Sequence, residues 1–216
     1  MSEKTKAKNI WLIIILSVLA FLIVAYSAFT TYLIYAAANN TDVWNKISAN
    51  VFKQSEKLVR RNILTDTVSI EFPKDFVDLM SGFGFDFTEQ IELNNIKKND
   101  DGSVVIQMQR DYYNNFIKTI SESTAESFRQ CADGMPGSSI RAINFTKKFD
   151  NIILEVKKDE FADNIIDDMY IASMGYTAMV YQMCDVDAKG KCTIDIKDVD
   201  TGDIIKTVVY PDVLSE

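Results

Sequence analysis

The chain has 216 residues, three cysteines, three prolines and no histidine, with a net charge of −8. That length accommodates one ordinary domain plus an anchor, and the missing histidine removes Ser-His-Asp, Cys-His and histidine–metal chemistry together. A pI near 4.7 argues against a nucleic-acid partner, whose phosphates need clustered Lys and Arg, and fits a well-solvated surface.

From Ile10 to Ala38 the chain reads "IWLIIILSVLAFLIVAYSAFTTYLIYAAA", with no charge in about 29 residues. A bilayer core needs roughly 20 in a helix. Trp11 and Tyr32 are about 32 Å apart along such a helix at ~1.5 Å per residue. That is the separation of the two aromatic belts at membrane interfaces, and Tyr35 is a further interface anchor. The run predicts a transmembrane helix over 10–38. The rival reading is a signal peptide cleaved after Ala38, but the apolar run is about twice the roughly 7–15 residues of a signal core. Lys4, Lys6 and Lys8 crowd the tail 1–9. The side richer in Lys and Arg stays cytoplasmic, so the tail is expected inside the plasma membrane and the rest outside.

Residues 39–64 predict a juxtamembrane amphipathic helix or stalk, capped by Thr41 or Asp42 and running to about Arg61. Trp44, Ile47, Val51 and Leu58 fall on one face at helical spacing. Lys46, Lys53, Lys57 and Arg60 fall largely off it, where they are candidates for contact with lipid headgroups or a partner. The plainer alternative is a helix packed on the following domain.

Residues 65–216 predict an extracytoplasmic α+β domain. "TVSIEF" alternates as a strand and is closed by Pro73. A short helix is expected from about Thr88, after a loop carrying Phe83, Phe85 and Phe87. "IKKNDDGSVVIQM" is a hairpin turning at Asn99–Gly102. Asp111 then caps a helix to about Cys131, with Tyr113, Phe116, Ile117, Ile120 and Phe128 as its apolar stripe. "SIRAINF" and "NIILEVKK" form a second strand pair. Asp159 caps a second helix to about Met183, with Phe161, Ile165, Met169, Ala172, Tyr176 and Met179 on one face. "CTIDIKDVD" and "IIKTVVYP" turn at Thr201–Asp203. The expected order is β-α-ββ-α-ββ-α-ββ. The simplest architecture is one antiparallel sheet with both long helices on one face.

"FPKDF", "KNDDGSVVIQM", "KKFDNIILEV", "YTAMVYQ" and "DVDTGDIIKTVVYPD" together resemble an uncharacterised family of small cell-envelope proteins of Gram-positive bacteria. Its members are lipoproteins or single-pass anchored α+β domains. The likeness covers about residues 65–213 and rests mostly on turns. It implies an envelope location and carries over no catalytic residue. This chain departs from the lipidated members in using a helix as its anchor, and Cys184 and Cys192 are unusual for the group.

No Gly-x-Ser-x-Gly, Walker loop or Cys-His metal set is present. Asp163 and Asp167 share a helix face at i, i+4, which a solvated surface explains. In "CDVDAKGKC", Asp185, Asp187 and Gly190 fit positions 1, 3 and 6 of a calcium loop. Position 5 is Lys189 and position 12 is Ile196, so the pattern fails where an oxygen ligand and a bidentate glutamate are required. Outside the cytoplasm Cys184 and Cys192 are candidates for a disulfide, worth about 2.5 kcal/mol for so short a loop.

The sequence therefore predicts a membrane-anchored extracytoplasmic binding or interaction module. It implies no cofactor, metal or nucleic acid; its partners are the lipid bilayer and other membrane or envelope proteins. The alternative is an assembly subunit recruited through its single helix. A carboxylate-based enzyme is the remoter one.

Overall fold

The structure, a computed structural model, describes residues 59–62, 65–82, 96–132, 137–162 and 164–215. The run Ile10–Ala38 with Trp11, Tyr32 and Tyr35, the lysines Lys46, Lys53 and Lys57, and the loop with Phe83, Phe85, Phe87 and Thr88 lie outside these residues. Among the described residues no helix is long and apolar enough to cross a membrane.

The domain is α+β, but its described strands form two four-stranded sheets rather than one. Strands β1 (Val59–Asn62), β2 (Thr67–Phe72), β3 (Ile96–Lys98) and β4 (Val104–Gln109) make an antiparallel sheet in the order β1-β2-β4-β3. Strands β5 (Ile140–Phe145), β6 (Asn151–Val156), β7 (Cys192–Asp198) and β8 (Ile204–Tyr210) follow in the order β5-β6-β7-β8. In this second sheet β6 and β7 are parallel. The reason is the connection. A short turn reverses the chain, whereas a helical crossover returns it to the end of the sheet it left. Short helix α3 (Lys158–Phe161) and long helix α4 (Ile165–Cys184) lie between β6 and β7.

Two local expectations are corrected, and one helix joins the expected order. Residues 59–62 are a strand, not the last turn of a helix, so Arg60 sits on β1 and pairs with Ser69 of β2. The ladder offered by β2 satisfies a backbone that helical spacing alone had assigned otherwise. After β2 the first helix is α1 (Lys74–Gly82). Pro73 has no N–H to continue a ladder, and its carbonyl accepts from Val77 N at 3.0 Å, so the strand ends and the helix starts there. The helix expected from Asp159 is broken into α3 and α4, and the cap of α4 is Asn164, whose side chain accepts from Ile166 N and Asp167 N.

Helix α2 (Arg110–Ala132) holds Asp111 in its first turn, and Tyr113, Phe116, Ile120 and Phe128 are buried. It packs against β2, β4, β5 and α4, so one helix joins the two sheets. Its C-terminal half meets an aromatic cluster. Phe128 lies edge-on to Phe145 (5.4 Å between centroids) and to Phe149 (5.5 Å), and Phe149 edge-on to Tyr181 (4.9 Å). Thr124, on the same helix, is 1% exposed, and its Oγ1 finds no hydrogen-bond partner among the described residues. A buried hydroxyl without a partner is destabilising. Thr124→Val is therefore expected to raise stability by about 1 kcal/mol, read as a higher urea midpoint at unchanged slope for the chain in mild detergent.

The stripe predicted for α4 holds at Met179, which is buried, but not at its start. Ile165 is 59% exposed, while Ile171, Met174, Gly175 and Ala178 are buried. The helix carries charge only at Asp167 and Asp168 and is apolar nearly all round. Periodicity then cannot select a face.

Candidate functional site

The stretch "CDVDAKGKC" leaves the end of α4 and enters β7, and three other elements converge on it. From α2, the buried Tyr113 hydroxyl donates to Cys184 O at 2.9 Å and accepts from Val186 N at 2.6 Å. From the turn between β5 and β6, Lys148 Nζ reaches Asp185 Oδ2 at 3.4 Å and donates to Asp187 O at 3.1 Å. In the same turn Asp150 meets Lys189 at 2.9 Å and accepts from Thr146 Oγ1 at 2.6 Å. From β1, Arg61 approaches Asp187 at 3.8 Å. Within α4, Tyr181 donates its hydroxyl to Asp185 at 3.1 Å. Buried Gln182 donates to Lys148 O and accepts from Lys191 N.

The charges are set out in pairs. Asp185, Asp187 and Asp150 each face a cation of the chain: Lys148, Arg61 and Lys189. Lys189 therefore neutralises a carboxylate from a different turn instead of filling a ligand position. The loop is a junction that locks the first sheet, α2 and the β5–β6 turn to the end of α4.

In the structure Cys184 and Cys192 are both free thiols. Cys184 ends α4 and Cys192 opens β7, and both are buried. Hydrogen bonds close the loop: Ala188 N to Asp185 O, and Lys191 N to the Gln182 side chain. Burial, helped by the charge of Asp185, pushes the Cys184 thiol up to about 12. Burial, helped by Asp150, does the same to Cys192, also to about 12. Thiols so shifted stay protonated at neutral pH and are poor nucleophiles and poor metal ligands. Burial also raises the hydroxyls of Tyr113 and Tyr181 above the ordinary phenol range, with the charge of Asp185 adding to the rise. Both therefore remain hydrogen-bond donors at neutral pH.

The carboxyl of Asp150 moves the other way. The Thr146 hydroxyl, then Lys189, holds it below its ordinary value of 3.8. A carboxylate favoured in the fold contributes stability above its unfolded pKa, and that contribution is lost as pH falls through the lowered folded value. Thr146→Val and Lys189→Met are each expected to move the Asp150 midpoint up toward 3.8. Carbon-detected carboxyl titration by NMR reads both shifts, and an unmoved midpoint would contradict the assignment.

A second polar cluster sits at the other end of α4. Asp167 is fully buried, not part of a solvated face as its spacing from Asp163 suggests. Its carboxylate accepts from Ser138 Oγ at 2.6 Å, Ser139 Oγ at 2.6 Å and Ser139 N at 3.1 Å. Lys157 N donates to Ser139 O, so the head of β5, the end of β6 and the first turn of α4 meet at one carboxylate. The charge also lies at the favourable, positive end of the helix dipole.

Of the residues singled out from sequence, Cys184 and Cys192 bound the junction, and Arg60 lies apart from it, exposed on β1 with Glu71 at 3.8 Å. Trp11, Tyr32, Tyr35, Lys46, Lys53 and Lys57 lie outside the described residues. No protein-family model matches the chain, and no curated protein or solved structure is significantly similar to it. Sequence reading missed Tyr113, Lys148, Asp150 and Ser139. Tyr113 alone left a signal: a tyrosine inside an apolar stripe needs a partner for its hydroxyl.

Proposed function

We propose that the chain is a membrane-anchored, extracytoplasmic interaction module that acts by binding rather than by catalysing a reaction. The observation that carries this reading is the uncharged run of about 29 residues, Ile10–Ala38, set behind Lys4, Lys6 and Lys8 and ahead of a folded α+β domain. Such a run exceeds the roughly 20 residues a bilayer core requires, and the basic tail sets its direction. The partners are the lipid bilayer and other membrane or envelope proteins, in keeping with the resemblance to anchored envelope domains. Two features support binding over catalysis: the paired charges at the 184–192 junction and the use of the buried carboxylate Asp167 as a structural acceptor.

Protease added to intact cells tests the topology. The domain is expected to be digested from outside while a cytoplasmic control survives. Protection of the domain under conditions that digest a surface control would overturn the reading.

A further inference from the structure

We draw no further inference here: the strongest candidate, the solvent-side face of the second sheet on which Ile153, Asp195 and Thr207 sit side by side on β6, β7 and β8, is an unpartnered mixed surface, and nothing among the described residues shows what covers it.

Discussion

Replacing Phe149 by alanine is expected to cost about 3–5 kcal/mol, the range for emptying a buried aromatic site. Phe149 is 1% exposed and its ring is enclosed by Phe128, Phe145 and Tyr181, which come from α2, β5 and α4. Losing it opens a cavity where these three elements meet, and removes edge-on contacts that add about 0.5–1.5 kcal/mol beyond area burial. The backbone sharpens the expectation. Phe149 has a φ of 55°, a left-handed conformation that costs a residue with a Cβ roughly 1–2 kcal/mol relative to glycine. Alanine keeps that cost and glycine releases it. Phe149→Gly should therefore be no less stable than Phe149→Ala, although it removes one more carbon. Urea unfolding of both variants checks the ranking. A glycine variant much weaker than the alanine variant would show that the strain at 149 does not matter.

The second large effect is expected at Asp167. Its carboxylate is the shared acceptor for Ser138 Oγ, Ser139 Oγ and Ser139 N, and the Ser139 groups are fully buried. Asp167→Ala leaves these donors without an acceptor, at about 1–3 kcal/mol for each buried group, so a loss of roughly 3–5 kcal/mol is expected. Asp167→Asn keeps one acceptor oxygen and should fall between the two. The loss should also be local first. Amide hydrogen exchange should quicken at Ser139 and Ile140 and in the first turn of α4 before it does in β7, which lies at the centre of the sheet. Equal stability of the alanine variant would mean that water replaces the carboxylate at this site.

These two residues show where sequence reading stops. The turns were legible because their chemistry is local. In "KNDDGS", Gly102 adopts φ 87° and Asp101 accepts from Ser103 N. "DVDTGD" turns with Asp198 accepting from Asp200 N and Gly202 at φ 81°. The stripe of α2 was legible because its other face is polar, whereas α4 offers no polar face to set the phase. The division into two sheets depends on where α2 and α4 pack, which no local pattern encodes. The same holds at the junction. Lys148 and Asp150 lie 39 residues before their partners Asp187 and Lys189, so "CDVDAKGKC" read alone offers a failed calcium pattern and a candidate disulfide rather than a set of paired charges. At residues 59–62 helical spacing gave way to a strand because β2 supplied a ladder.

The side of the membrane on which the domain lies is the claim on which the functional reading turns, and a single engineered thiol tests it directly. The three native cysteines are buried and burial holds Cys184 and Cys192 protonated, so their background labelling should be low. Asp200 is exposed at the tip of the β7–β8 hairpin. Intact cells carrying Asp200→Cys, treated with a membrane-impermeant maleimide, are expected to label the chain as fully as lysed cells do. Labelling that appears only after lysis would place the domain in the cytoplasm and contradict the account.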